Sequence, residues 1–148
     1  MEAEGLPFKV TLVIANETVG GGALAERLKA KAAESKEEGK ESVFILVIPQ
    51  KGGFGAHTRD ARRRLDGVLV GLLDSGLLVA GMIGDPDPYT ATMNALNTFH
   101  VDDVVISTFP ETRSGWMRSD LIKRLQGASA VPIEHVVVDL EAEKAATT

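Results

Sequence analysis

Short apolar runs alternate along the chain with segments in which apolar residues recur every three or four positions. Val10-Thr11-Leu12-Val13-Ile14-Ala15 is a β-branched run that stops at Asn16, and it predicts a first strand. After Gly20-Gly21-Gly22, the residues Leu24, Leu28 and Ala32 recur at i+4 among charges over Ala23–Ser35, as in an amphipathic helix. Ser42–Pro49 is apolar on both faces, which suits a strand buried inside a parallel sheet. A glycine-rich loop over Gln50–His57 leads into a second helix, with Thr58 placed to cap it and Gly76 to end it. Leu65, Val68, Leu69, Leu72 and Leu73 share one side of that helix, and Arg59, Arg62, Arg63 and Arg64 crowd its start.

Leu77–Ile83 predicts the third strand. It runs into Gly84-Asp85-Pro86-Asp87-Pro88, where one aspartate caps the next helix and the adjacent proline presets its first turn. Tyr89, Met93 and Leu96 carry this helix to about Phe99. Val101–Thr108 is the fourth strand, with Asp102-Asp103 expected as solvated turn residues at its amino end. A polar loop, Phe109–Arg118, precedes a short helix capped by Ser119 or Asp120, with Leu121, Ile122 and Leu125 inward. Pro132–Leu140 is the last strand, in which His135 is expected as a packed or edge-strand residue, and 141–148 reads as a flexible tail.

Five strands alternating with four helices make an α/β fold, read as a single doubly wound domain over residues 1–140. The sheet is five-stranded and parallel with helices on both faces. Its favoured order is 3-2-1-4-5; periodicity alone does not separate this from the flavodoxin-like 2-1-3-4-5. Either order puts ligands beyond the carboxyl ends of the strands, among Asn16–Gly22, Gln50–His57, Gly84–Pro88 and Ser107–Ser119.

Composition narrows the chemistry. The 148 residues carry 16 Lys and Arg against 21 Asp and Glu, a formal charge of −5, with few aromatics. Such a chain is poorly suited to nucleic acid, whose phosphates need clustered cations. No cysteine is present, which removes disulfides, thiolate nucleophiles, zinc ribbons and iron–sulfur clusters. The acidic start, Met1-Glu2-Ala3-Glu4-Gly5, is unlike a secretory signal, and no apolar run approaches the roughly 20 residues of a membrane helix. A cytoplasmic protein without membrane contact is expected. The glycine clusters lack the spacing of a P-loop or of a dinucleotide fingerprint, no G-x-S-x-G is found, and His57, His100 and His135 show no metal-ligand pairing. No catalytic set emerges; Glu17 and Glu111 are bases only by proximity.

The most informative segment is Ser107-Thr108-Phe109-Pro110-Glu111-Thr112-Arg113-Ser114-Gly115-Trp116-Met117-Arg118-Ser119-Asp120. Hydroxyls, two arginines and a helix start in one long loop suit an anion such as phosphate. With these features the chain resembles a universal stress protein domain over nearly its whole length. The resemblance rests on the first strand with its polar turn and on Gly84-Asp85-Pro86 opening a helix. It rests also on Val104-Val105-Ile106-Ser107-Thr108 before Arg113-Ser114-Gly115, and on Ala130-Val131-Pro132 before the strand Ile133–Val138.

The resemblance implies an adenine nucleotide α-hydrolase-like fold and a regulatory binding protein of the stress response, with ATP or another adenine nucleotide as ligand. The nucleotide-binding residues it implies are Ala15, Asn16, Thr18, Pro49, Gly84, Ser107, Thr108, Arg113, Ser114, Gly115 and Ser119. Asn16 stands where the family often has an aspartate, Ser107 where its G-x2-G-x9-G-[ST] motif begins, and Ser119-Asp120 where that motif closes. Family members pair through a sheet edge, so a homodimer through the C-terminal edge strand is implied as well. The alternative is a dimeric interaction module that binds no nucleotide and keeps a degenerate pocket. A third reading, an enzyme of adenylyl or phosphoryl transfer acting through Arg113, lacks a base and a metal triad.

Overall fold

A computed structural model describes residues 7–15, 21–49, 56–110, 120–139 and 141–143. The apolar runs become β1 (Phe8–Ile14), β2 (Glu41–Pro49), β3 (Leu78–Gly84), β4 (Asp103–Thr108) and β5 (Ile133–Val137). They join in one sheet of order β3-β2-β1-β4-β5, and every ladder is parallel. This resolves the order that periodicity left open. Between the strands lie α1 (Gly22–Glu37), α2 (Ala56–Asp74), α3 (Pro88–Thr98) and α4 (Leu121–Ala128).

Successive strand residues point to opposite faces, and here both faces are covered. Leu24 and Leu28 of α1 and Leu65 and Leu72 of α2 pack with Val13, Phe44, Leu46 and Val105 on one side. Ala91 and Ala95 of α3 and Leu121 and Leu125 of α4 pack with Leu12, Ile14, Val47 and Ile106 on the other. The double burial explains why β1, β2 and β4 read as unbroken apolar runs.

Helix ends follow local chemistry with three departures. Gly76 takes φ 89° after α2, and Leu77 N reaches Leu72 O at 3.1 Å while Gly76 N reaches Leu73 O at 2.9 Å. This six-to-one and five-to-two pair of bonds closes the helix as expected, in a conformation that favours glycine. Asp87 caps α3, accepting from Thr90 N at 3.0 Å, with Pro88 at the first helical position. The first departure is Thr58, which lies inside α2 because the helix already starts at Ala56. Asp120 is the second: it stands at the N-cap of α4, but its backbone is left-handed (φ 56°, ψ 37°) and its side chain makes no capping bond. A side-chain cap requires extended backbone at that position. Third, Leu73, expected on the packed side of α2, is half exposed (51%). Residues 141–143, read from the sequence as the start of a tail, form a helical turn. Among the described residues no helix is long and apolar enough to cross a membrane.

Candidate functional site

From β1 the chain builds outward to β2 and β3, then returns to add β4 and β5 on the other side of β1. The order therefore reverses between β1 and β4, and a crevice opens there beyond their carboxyl ends. In register, Ile14 pairs with Ile106, which brings Ala15 level with Ser107. Ala15 N is bonded to Val47 O at 3.2 Å, and Pro49 pairs with Gly84 at the ends of β2 and β3. Ala15, Pro49, Gly84, Ser107 and Thr108 thus come to one rim of the sheet. Asn16, Thr18, Arg113, Ser114, Gly115 and Ser119 lie outside the described residues, as do Glu17 and Glu111. Arg59, Arg62 and Arg63 are exposed near the start of α2, the helix that follows β2.

Two of the rim residues have structural duties. Gly84 sits where the sheet meets α3: a Cβ there would come within 2.8 Å of Val47 Cγ1 and 3.1 Å of Ala91 Cβ. Its missing side chain lets α3 approach, beside a cavity of about 230 Å³ lined by Met82, Asn94 and Phe99 among others. Thr108 is 3% exposed, and its hydroxyl oxygen lies 2.8 Å from Phe109 O. His135 Nε2 lies 2.7 Å from Thr108 Oγ1. The single hydroxyl proton serves one of these two contacts, and the His135 tautomer follows from which one it serves. Thr108 is therefore held across β4 and β5, and His135 is the edge-strand residue expected from its position.

At the opposite end of β4, Asp102 is exposed as expected, whereas the Asp103 side chain is largely buried rather than solvated. Asp102 Oδ2 accepts from Val10 N at 2.8 Å, and Asp103 Oδ1 accepts from Thr11 Oγ1 at 2.6 Å. Asp103 Oδ2 also meets Lys31 Nζ at 2.6 Å. Lys31 lies 3.6 Å from Glu134 Oε1, and Arg27 closes the cluster by gripping both oxygens of Glu134. The Arg27 hydrogen bond holds the Glu134 carboxyl below its ordinary range, and the same bond raises the guanidinium further. This network ties α1 to β4 and β5. A signal for it exists in the sequence: Lys31 falls on the buried stripe Leu24, Leu28, Lys31, Ser35, where a lysine needs an anionic partner.

A second unforeseen contact lies beside the crevice. Glu143 reaches the start of α1, accepting from Gly22 N at 2.9 Å and from Ala23 N at 3.2 Å. Among the described residues no group of His, Asp and Glu side chains converges on a metal position.

Two solved structures align with this architecture over most of their length. A universal stress protein from Archaeoglobus fulgidus superposes with TM-score 0.61 at 13% identity, covering 86% of this chain and 93% of that one. A protein of the universal stress protein family from Burkholderia pseudomallei superposes with TM-score 0.55 at 16% identity, covering 88% and 97%. No family model and no curated protein matches the sequence. The likeness is one of fold.

Proposed function

We propose, with the universal stress protein fold as premise, that this chain is a cytoplasmic binding protein of regulatory rather than catalytic function. Its ligand is an adenine nucleotide, ATP or a close relative, held at the carboxyl ends of β1 and β4. The observation that carries the reading is the strand-order reversal between β1 and β4, with buried Ala15, Ser107 and Thr108 converging on its rim. In this reading Asn16 and Thr18 meet the ribose or base, and Ser107 and Thr108 line the middle. Arg113, Ser114, Gly115 and Ser119 face the phosphates, the guanidinium supplying the charge that the altered glycine motif does not. Calorimetric titration with ATP at near-physiological magnesium tests it. Binding below millimolar concentration, weakened by Arg113→Ala and by Ser119→Ala, is expected. No binding in that range, or binding untouched by both substitutions, refutes the site.

A second reading has its own observation. Val137 is 48% exposed on β5, the C-terminal edge strand. An open edge of this kind pairs readily with a second copy, giving a homodimeric interaction module. Light scattering tests the edge: a dimer that Val137→Lys converts to monomer supports it, and a strict monomer in both chains removes it.

A further inference from the structure

Of the two edges of the sheet, β3 is the less protected. Sheets guard an edge with lysines, prolines, bulges or short strands, because its unpaired N–H and C=O groups template pairing with another chain. β3 has none of these. Its seven residues, Leu78–Gly84, include no charge and no proline, and all seven pair with β2 in unbroken register. β5 is five residues long and carries Glu134 and His135. Among the described residues no strand pairs with the outer side of β3, and six large hydrophobic side chains are exposed. Four of the six, Val70, Leu73, Leu78 and Met82, border this edge.

The packing places them there. A Cβ on Gly81 would meet Leu65 of α2 and one on Gly84 would meet Ala91 of α3, so strand alternation turns Leu78, Ala80 and Met82 to the α3 face. α3 packs over β1 and β2 and leaves them open. On the other face α2 packs on β3. Its Gly67, Gly71 and Ser75 line a groove of about 290 Å³ shared with Leu24 and Leu28 of α1. At about 3.6 residues per turn, Val70 and Leu73 fall on the other flank of α2, beside the free edge.

The charges of α2 fit a second copy of the same helix. Arg59, Arg62 and Arg63 follow its start, with no acidic residue in the first turn, and Asp74 stands at its end, with no basic residue in the last. Both placements oppose the helix dipole within one molecule. An antiparallel copy alongside corrects both, since each start then lies against the other's end. We propose that the β3 edge binds a second copy of this chain, β3 pairing antiparallel with its counterpart about a twofold axis near Ala80. The two five-stranded sheets join into one. An axis perpendicular to the sheet keeps both α2 helices on one face, antiparallel and about 10 Å apart, the spacing of packed helices. Leu78 then lies opposite the partner's Met82. Because Leu65 holds the middle of α2 level with the middle of β3, Arg59 approaches the partner's Asp74. The surface is uncharged at the strand and self-complementary in charge along the helix, so two chains of net charge −5 can meet there. The pairing is independent of the nucleotide reading and leaves the β5 edge free.

The test is light scattering over a concentration series on the full chain, Met82→Lys, Asp74→Arg, the swap Arg59→Asp with Asp74→Arg, and Val137→Lys. All four positions are exposed, and circular dichroism checks that each variant is folded. We expect a dimer in the parent and in Val137→Lys. Met82→Lys should weaken it at least about tenfold and Asp74→Arg about three- to tenfold, with the swap recovering most of the latter loss. Hydrogen exchange reads the interface directly: dilution of the parent should raise uptake over 78–84 and leave 133–137 unchanged. A parent that stays monomeric up to about 1 mM overturns the proposal. So does uptake over 78–84 that ignores dilution. A dimer that Val137→Lys disperses and Met82→Lys does not also overturns it, and assigns the interface to β5.

Discussion

Lys31 Nζ lies 2.6 Å from Asp103 Oδ2, and the two side chains are only 9% and 14% exposed. The pair joins the middle of α1 to the first residue of β4. Its desolvation is compensated by mutual attraction and by the hydroxyl of Thr11, so the loss of one partner strands the other. Lys31→Met should destabilise the fold by about 3 kcal/mol, measured by urea unfolding. Adding Asp103→Asn removes the stranded charge and should recover more than half of that loss. Simple additivity of the two substitutions would mean that the pair is not energetically coupled.

Acid stability should report the neighbouring cluster. Glu134 is held below its ordinary value of 4.5, first by the Arg27 hydrogen bond. Asp87 is held below 3.8, first by the Thr90 hydroxyl. A carboxylate depressed in the folded state stabilises it above the unfolded pKa, and that contribution disappears as pH falls through the folded value. Melting temperature should therefore be flat with respect to these groups near neutrality and decline below about pH 4.5. Glu134→Gln should make that decline shallower, and an unchanged acid slope would show that the Arg27 contact contributes nothing.

Asp87 also stabilises α3 directly. Its Oδ2 accepts from both Thr90 N and Thr90 Oγ1, at 3.0 and 2.7 Å. Asp87→Ala should cost about 1 kcal/mol in thermal or chemical unfolding, and Asp87→Asn clearly less, because the amide oxygen still caps. Equal losses for the two would place the effect in charge rather than in the cap.

Gly84 separates packing from ligand binding. Gly84→Ala presses a methyl against Val47 and Ala91 and should destabilise by about 1–3 kcal/mol. Corrected for the folded fraction, nucleotide affinity should stay the same. A loss of affinity in a fully folded Gly84→Ala protein would show that Gly84 also contributes to the binding surface, as the resemblance implies.

How far the sequence could be read depended on the range of the interaction. The Gly76 stop and a capped helix start within Gly84–Pro88 are visible because a cap acts within one turn, on residues that are neighbours in the chain; the structure selects Asp87 over Asp85. Asp103 is the opposite case: the sequence reads it as a solvated turn residue like Asp102, and its burial has no local signature. Two acids before an apolar run have the composition of a turn, and only the pairing of β1 with β4 delivers Val10, Thr11 and Lys31 to them. Thr108 is placed at a strand end by the sequence, but its partner across the sheet is not. The neighbouring β5 brings His135 onto its hydroxyl.

Hydrophobic periodicity was enough to establish an alternating α/β chain with a parallel sheet covered on both faces, because burial on two sides demands unbroken apolar strands. It could not choose the strand order, since 3-2-1-4-5 and 2-1-3-4-5 both cover a parallel sheet on two faces and differ in which of β2 and β3 lies at the edge. Packing of the whole chain made that choice, and with it the position of the crevice between β1 and β4. The seat of Glu143 on α1 belongs to the same class. A hydrogen bond between residues some 120 positions apart has no local sequence signature, because it exists only once the fold has brought both ends together.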